Sequence, residues 1–255
     1  MSDVLTHPTT RDEDWRYSDA EYLASTSSDE LLHWTEWTVA PGEVKSEYVT
    51  LLSGPQARGT VQRTRVHVGK GGRLEVFATL AGGQYQRYEL DVTLEEGAHF
   101  EFGGVTLGGD VKLQEFVTRV VHAEPNATSN QTVRAVQWGK ATGNFLGRIE
   151  VVRDAQKTDA AQNFRALLLE KGASANAKPE LEIFADDVKC AHGAAIGALD
   201  EQALFYLASR GLPPVEARKL MVRAFIADAF VEISDDAMRD QMLEGALAEL
   251  DQGAL

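Results

Sequence analysis

A cysteine and a histidine, both capable of binding metal, lie two positions apart late in the chain. They are Cys190, the only cysteine among 255 residues, and His192, in the segment KCAHGA. On an extended strand, alternate side chains point to the same face, which places the two Cα atoms roughly 6.5–7 Å apart. Thiolate and imidazole ligands suit iron or zinc. The spacing therefore allows both side chains to reach one metal ion.

Two ligands are too few to close a metal site. A structural zinc site takes four ligands, and Fe–S clusters are usually held by four thiolates. If Cys190 and His192 bind metal, the other ligands must come from another chain. The alternative is a cysteine and a histidine without function, and the residues by themselves favour that alternative.

Other motifs for catalysis or nucleotide binding are incomplete. GKATG lacks the spacing of a phosphate-binding loop, and no G-x-S-x-G nucleophile motif occurs. Glu180 and Glu182 would share one strand face about 6.6 Å apart, a spacing open to a glycosidase pair, but a solvated face is the favoured interpretation. The glycines of GGVTLGG, from Gly103, are expected in turns. The residues thus assemble no complete catalytic site.

Composition and charge exclude some classes of protein. The formal net charge is −14, from 39 acidic and 25 basic residues, and such a field repels the phosphate backbone of nucleic acids. A single cysteine fits a reducing compartment. The N-terminal residues do not resemble a secretory signal, and no apolar run is long enough to span a bilayer. We therefore expect a cytoplasmic protein that binds neither nucleic acid nor membrane.

The chain divides into three regions by pattern. Residues 1–30 are polar and partly helical, with a short helix expected near Asp12–Leu23. Residues 31–198 alternate apolar and polar side chains, as in RLEVFATL and YELDVTL, which predicts strands with one buried face. Residues 199–255 are helical in pattern. The sequence predicts a mainly β body followed by a small C-terminal helical domain.

Three helices are expected in that last region. Asp200 should cap EQALFYLASR, which Gly211 closes, and Ser234 should cap a helix beginning DDAMRD. Between them, VEARKLMVRAFIADAFVEI places an apolar stripe at helical spacing. The principal members of this stripe are Leu220, Ala224, Ala227 and Val231.

The arrangement of the strands remains open at this point. No helical segment of ten or more residues interrupts the strands, which disfavours a doubly wound α/β fold. Both a β-sandwich or barrel and a solenoid of stacked short strands remain compatible with the pattern.

The stretch from about Gly147 to Phe230 resembles the SufB/SufD family of iron–sulfur cluster assembly proteins, most densely in KPELEIFADDVKCAHGAAIGALDE. The resemblance implies a right-handed parallel β-helix, or β-solenoid, with a small C-terminal helical domain. VKCAHGA follows the SufD-type pattern. A SufB-type chain is the alternative, disfavoured because that type usually has more cysteines. A β-solenoid polysaccharide lyase or hydrolase is a further alternative and would need a carboxylate or basic cluster on a groove.

The resemblance also implies a function. A SufD-type chain is a non-catalytic scaffold that pairs with a SufB paralogue and docks the SufC ABC-type ATPase through its C-terminal helical domain. It holds no cofactor alone, and a nascent iron–sulfur cluster forms transiently at the interface with SufB. Cys190 and His192 occupy the family's motif positions, with His192 the stronger candidate. The isolated chain is expected to be able to form a homodimer, and flavin binding is left open.

Two departures from the family pattern accompany this resemblance. The family usually reads Cys-Ser-His-Gly-Ala-Thr, whereas this sequence has Ala191 and Ala195 at the hydroxyl positions. We expect the thiol–imidazole pair to be kept and hydrogen bonds from those hydroxyls to be lost. The sequence is also shorter than many members in the N-terminal helical region, so the role of that region is left open.

Overall fold

The computed structural model describes residues 6–51 and 58–251. Within these ranges lie the following strands: β1 (Thr35–Val39), β2 (Val44–Leu51), β3 (Gly59–Val68), β4 (Arg73–Leu80), β5 (Tyr85–Leu94), β6 (His99–Gly108), β7 (Leu113–His122), β8 (Thr128–Gln137), β9 (Thr142–Val151), β10 (Asp159–Leu168), β11 (Ser174–Ile183) and β12 (Lys189–Gly197). The helices are α1 (Ala20–Ser25), α2 (Ser28–Leu32), α3 (Glu201–Ser209), α4 (Pro214–Ala227) and α5 (Asp236–Asp251), with 3-10 turns at Glu13–Trp15 and Asp228–Phe230.

The strands stack as a solenoid. Odd-numbered strands form one parallel sheet in the order β1-β3-β5-β7-β9-β11, and even-numbered strands form a second in the order β12-β10-β8-β6-β4-β2. The chain therefore alternates between two sheets, and each strand pairs with the strand one coil away. Side chains on neighbouring coils are 26 residues apart at Arg63–Glu89 and 32 apart at Thr142–Ser174. This topology confirms the solenoid and excludes the sandwich.

The main core lies between the two sheets. Inward-facing side chains repeat at the same strand position on successive coils, so that Val76 and Phe102 stack within one sheet and Phe116 and Phe145 within the other. The rings of Phe102 and Phe116 meet edge to face across the interior, with centroids 5.3 Å apart. Burying each such ring contributes roughly 1.5–3 kcal/mol. The apolar half of the period-two pattern thus forms this interior.

The outer face of the even-numbered sheet is also buried, contrary to the expected single buried face. Phe77 and Val105 pack against Val222, Ile226 and Phe230 of the C-terminal helical region. This second apolar layer exists because β4, β6 and β8 carry apolar residues on both faces near their ends.

Gly103 allows the helical region to approach this sheet. It lies within β6, so the expectation that this glycine forms a turn is wrong. A Cβ at Gly103 would lie 1.9 Å from the carbonyl oxygen of Ala229, a distance that real contacts do not reach. Beside it, Asp228 accepts hydrogen bonds from the buried guanidinium of Arg134. Because Gly103 has no side chain, the C-terminal region can approach the sheet closely, and the Arg134–Asp228 ion pair holds it there.

The N-terminal segment packs on the outer face of the odd-numbered sheet. Trp15, Tyr22 and Leu31 form a small apolar cluster with Tyr85 of β5. The helix expected near Asp12–Leu23 is wrong: a 3-10 turn and α1 take its place. The side chain of Asp19 accepts a hydrogen bond from the Tyr22 amide and so starts a new helix in the middle of the expected one.

Arg87 anchors the same N-terminal segment. Its guanidinium is fully buried, contacts the carboxylates of Glu89 and Glu115, and donates to the carbonyl oxygen of Asp14. It also lies over the ring of Trp15, 4.0 Å from the centroid. Burying a charge is costly unless it is paired and hydrogen-bonded. Glu89 and Glu115 pair this charge within the sheet, and the contacts with Asp14 and Trp15 hold the N-terminal segment in place.

The C-terminal helices agree in part with expectation. Asp200 caps α3, and Gly211 follows it with a φ of 92°, as the pattern predicts. The cap of α5 is Asp235, which accepts from the amides of Ala237 and Met238, so the assignment to Ser234 is wrong. None of the helices in the described ranges is long and apolar enough to cross a membrane.

The buried face of α4 also differs from expectation. Val222 and Ile226 face the sheet, whereas Leu220 and Ala224 lie outward. The outer face of the even-numbered sheet is apolar where Val222 and Ile226 contact it, and this contact decides that these two residues of α4 are buried.

Candidate metal half-site at the open end of the solenoid

Cys190 and His192 lie on β12, at one end of the even-numbered sheet. β12 pairs with β10 alone, in a register that sets Cys190 beside Ala160 and His192 beside Gln162. Ala160 and Gln162 are buried in the interior. Side chains at paired positions share a face, so Cys190 and His192 also point inward, at an end where the described residues supply no further coil.

Cys190 is partly buried by apolar side chains of the last two coils. It packs against the apolar cluster that contains Ile149, Val151 and Ala185. Burial raises the pKa of its thiol above the ordinary value, and the carboxylate of Asp159 raises that pKa further. The thiol is therefore protonated at neutral pH in the isolated chain, and a metal ion would have to displace the proton.

His192 is exposed, and its ring has no hydrogen-bonding partner among residues 6–51 and 58–251. A metal-ligating histidine usually donates its second ring N–H to a carboxylate, carbonyl or water. That orienting contact is missing from the described part of this chain. The imidazole is consequently free to meet a group from outside.

The donor set fits an iron–sulfur cluster or iron in chemistry but not in number. Thiolate and imidazole are soft and borderline ligands suited to iron. Within the described residues, no group of three or more His, Cys, Asp or Glu side chains is arranged to hold a metal ion. The arrangement at Cys190 and His192 can act as half of a shared site.

The alanines that replace the family's hydroxyl residues lie on the other face of β12. Ala191 pairs with Ala161, and Ala195 pairs with the exposed Arg165, whereas Cys190 and His192 face the interior. A hydroxyl at either alanine would point away from the thiol and the imidazole. The expectation that these hydroxyls would hydrogen-bond around the pair is therefore not supported by the register.

The carboxylates of β11 are engaged in surface ion pairs. Arg148 lies 3.4 Å from Glu180 and 3.8 Å from Glu182, on the outward face of the odd-numbered sheet. This confirms the interpretation of Glu180 and Glu182 as residues of a solvated face.

Sequence reasoning missed the apolar surface around the half-site. Ile196 of β12 continues the inward column of the buried Ala166 yet is 47% exposed, and Phe184, just beyond β11, is 62% exposed. All inward positions of β11 are apolar, because they extend the columns of the interior. These positions are Ala175, Ala177, Pro179, Leu181 and Ile183. The period-two pattern of the sequence marks these positions as apolar and inward-facing. They form a surface because β11 and β12 are the last strands of the stack in the described chain.

Sequence reasoning also missed a polar column inside the solenoid. Gln131 and Gln162 occupy successive inward positions in the column that ends at His192. Gln162 donates to the carbonyl oxygen of Glu180 at 3.2 Å, while its Oε1 and both amide atoms of Gln131 have no protein partner in the described structure. In the sequence, this column could have been recognised from the glutamines that stand where the strand alternation calls for apolar, inward-facing residues.

A second exposed apolar surface lies on the helical region. Phe205 of α3 is 77% exposed, and Leu220 of α4 is 49% exposed. Leu220 borders a groove between α4 and α5 with Leu212, Arg223, Glu244 and Leu247. Large exposed apolar side chains beside charged residues are a mark of protein interaction sites.

Comparison with known proteins identifies the family. The family model described as "SUF system FeS cluster assembly, SufBD core domain" matches residues 20–225. The chain belongs to the SufBD family. It is 33% identical over 174 residues to an iron–sulfur cluster assembly SufBD family protein of Synechocystis, covering 68% of this chain and 38% of that relative. It is 31% identical over 176 residues to the iron–sulfur cluster assembly protein SufD of Escherichia coli, covering 69% of this chain and 42% of that relative.

A SufD protein of Bacillus subtilis is 29% identical over 148 residues, which cover 58% of this chain and 34% of that relative. The matches to the Synechocystis and Escherichia coli proteins span 38% and 42% of those chains, so this sequence corresponds to about two-fifths of each SufBD relative. The matched part of the family model includes the solenoid and both Cys190 and His192.

Proposed function

We propose that this chain is a SufD-type scaffold subunit of the Suf system, a non-catalytic cytoplasmic protein that pairs with a SufB-type paralogue. The β11/β12 end of the solenoid is the pairing surface. Cys190 and His192 supply this chain's ligands to a shared site in which a nascent iron–sulfur cluster is built and then passed on. The observation that carries the proposal is an incomplete set of soft ligands at an uncovered apolar end.

The β11/β12 end of the solenoid supports pairing because it exposes strand edges and apolar side chains to solvent. Strands β11 and β12 each have one edge without a strand partner in the described chain, and their inward side chains are mostly apolar. An exposed sheet edge is a template for another chain, and exposed apolar surface favours its burial. A second SufBD solenoid presents both a strand edge and an apolar end of its own.

Pairing would also alter the chemistry of the half-site. The raised pKa of the Cys190 thiol keeps this side chain in its weakly ligating form. A partner that contributes further ligands raises the local affinity for iron, and bound metal then displaces the thiol proton. His192 is more exposed than Cys190, so its imidazole is the first contact for the arriving cluster.

The helical region supports the docking of a SufC-type ATPase. No phosphate-binding loop occurs in the sequence, so nucleotide hydrolysis belongs to another chain. Leu220 on the outward side of α4 and Phe205 and Tyr206 of α3 are large exposed apolar side chains of the helical region. We assign the ATPase to this surface.

The SufB-type alternative is less well supported. Relatives from Escherichia coli and Bacillus subtilis that match this chain are SufD proteins, and Cys190 is the single cysteine of the sequence. A subunit with one cysteine depends on its partner for thiolates. This dependence fits the SufD role better than the SufB role.

Co-purification tests the proposed function. The tagged chain, co-expressed with a SufB-type and a SufC-type protein, should bring both with it. Ile196→Asp places a charge on the β12 end, and we expect it to reduce the recovered SufB-type partner by roughly tenfold or more. Val44→Asp, at an exposed apolar residue on the opposite end of the solenoid, is the matched control. Recovery of neither partner with the parent chain would refute the proposal.

A further inference from the structure

Arg165, on the outward face of β10, is a cation without a partner. Within the described ranges its exposed guanidinium makes no hydrogen bond and no ion pair. Every other arginine of the described strands contacts a carboxylate, namely Arg63, Arg65, Arg73, Arg87, Arg119, Arg134 and Arg148. Arg165 is therefore available to a carboxylate from outside the chain.

A neighbouring arginine on the same face shows what such a cation can bind. Arg134 and Arg165 occupy paired positions on β8 and β10. Arg134 donates to the carboxylate of Asp228, at the start of the second 3-10 turn, and the carbonyl oxygen of Ala229 in that turn lies against Gly103 of β6. An arginine beside a glycine thus receives an acidic turn on the outward face of this sheet.

Arg165 and Gly193 repeat this combination on the last two even-numbered strands. Gly193 of β12 lies in the same column as Gly103, because β6, β8, β10 and β12 pair in register. In both combinations the arginine is on the adjacent strand, two positions beyond the column of the glycine. The order across the sheet is reversed, since the glycine strand precedes that of Arg134 and follows that of Arg165.

The second combination is uncovered. Leu167 of β10 still packs against the apolar cluster of the C-terminal helices. On β12, by contrast, the outward residues Ala191, Ala195 and Gly197 are exposed. The helical layer of the described chain therefore ends before β12, and the small side chains there leave the backbone accessible.

The charge of Arg165 is unfavourable in the isolated chain. Like charges at paired positions of neighbouring strands destabilise a sheet. Burial, together with the charge of Arg165, lowers the pKa of the Arg134 guanidinium in spite of its contact with Asp228. A second carboxylate on this face would offset the charge of Arg165, as Asp228 offsets that of Arg134.

We infer that Arg165 binds a carboxylate of the SufB-type partner, carried on an acidic turn that continues the helical layer over β12. Arg165 lies one strand, about 4.8 Å, from β12, so a partner on the β11/β12 end comes within its reach. Gly193 and Ala195 permit the close backbone approach that Gly103 permits to Ala229. The inference rests on the proposed function in taking the partner to pair at that end.

The test measures the affinity of the purified full-length chain for a SufB-type protein by biolayer interferometry. Arg165→Glu should weaken binding roughly tenfold or more, because it sets like charges against each other in the interface. Arg165→Lys keeps the charge and should remain within about threefold of the parent. Arg11→Glu is the matched control, at an exposed arginine of the N-terminal segment that also lacks an ion pair in the described chain. Circular dichroism checks that each variant remains folded.

A second pair of variants leaves Arg165 in place. Ala195 pairs with Arg165, so Ala195→Glu offers the guanidinium a carboxylate of its own chain, whereas Ala195→Gln adds a side chain of similar size without charge. We expect Ala195→Glu to bind the partner roughly threefold more weakly than Ala195→Gln. Equal affinities of these two variants would overturn the inference.

The outcomes separate this inference from the proposed function. A parent chain that binds the SufB-type protein, with an Arg165→Glu variant that binds it equally well, would overturn the inference alone. Equal losses in Arg165→Glu and Arg11→Glu would also overturn it, since the effect would then come from net charge. A parent chain that does not bind the SufB-type protein would overturn both.

Discussion

Gln162 and His192 occupy paired positions on β10 and β12, so a buried amide lies directly behind an exposed imidazole. Gln162 is itself held by a hydrogen bond to the carbonyl oxygen of Glu180 on the facing sheet. The half-site is therefore backed by a closed and cross-linked coil. A ligand on a rigid strand keeps its direction when a partner arrives, which favours a precise shared site.

Replacing His192 by alanine should lower cluster formation without harming the fold. The ring is exposed and makes no contact that the coil depends on, so the free energy of unfolding should change by no more than about 0.5 kcal/mol. Iron bound to the purified three-protein complex should fall roughly tenfold. His67→Ala, on the outer surface and paired with Glu95, is the control. Equal iron content in both variants would show that His192 has no role in the site.

Leu220→Glu should weaken the docking of the ATPase. Leu220 is exposed on the outward stripe of α4, so the charge does not disturb the core. We expect roughly tenfold weaker binding of the SufC-type protein by calorimetry, with an unchanged melting temperature. Val111→Glu, at an exposed turn residue of the solenoid, should leave that affinity unaltered. Loss of affinity in both variants would point to a nonspecific effect of charge.

Gly103→Ala should weaken the packing of the helical region on the solenoid and so lower the stability of the protein. Its Cβ would lie 1.9 Å from the Ala229 carbonyl oxygen, and the backbone of the 3-10 turn cannot yield as a flexible side chain could. We expect a loss of about 1–3 kcal/mol in the free energy of unfolding by denaturant. Gly245→Ala, where the added Cβ meets nothing within 4 Å, should instead stabilise α5 by about 1 kcal/mol. A Gly103→Ala variant as stable as the parent would contradict the close approach.

Acid should destabilise the protein through His122. Burial lowers the pKa of this imidazole to about 4, so the folded chain binds its proton less readily than the unfolded chain, whose histidine has a pKa of about 6.5. Stability is therefore lost as the pH falls from about 6.5 to about 4, by up to about 3 kcal/mol. Denaturant unfolding across this range measures the loss.

His122→Leu provides the comparison, because Leu94 and Val151 flank this position in the same inward column. The variant should flatten the pH dependence between about 6.5 and about 4 while keeping the fold. An undiminished slope in His122→Leu would assign the effect to other groups. Carboxylates such as Glu89, whose pKa the guanidiniums of Arg87 and Arg63 lower despite burial, act at more acidic pH.

Much of the fold was readable because strands in a solenoid obey a local rule. The alternation of inward and outward side chains located the β region, and Asp200 with Gly211 located α3. Errors arose where a residue's role depends on a distant contact. Leu220 and Val222 are both apolar at helical spacing, and only the outer surface of the sheet selects Val222 for burial.

The sequence by itself determined the two candidate ligands, their shared face and the family, since these depend on residue type and strand geometry. It could not show that Cys190 and His192 lie at an open end, because the end of a stack is defined by which strand finds no further partner. Lys45 and Glu47 of β2 likewise looked like an ordinary polar alternation. Pairing β2 with β4 reveals that these charges face inward, and long-range pairing of this kind is what only tertiary structure decides.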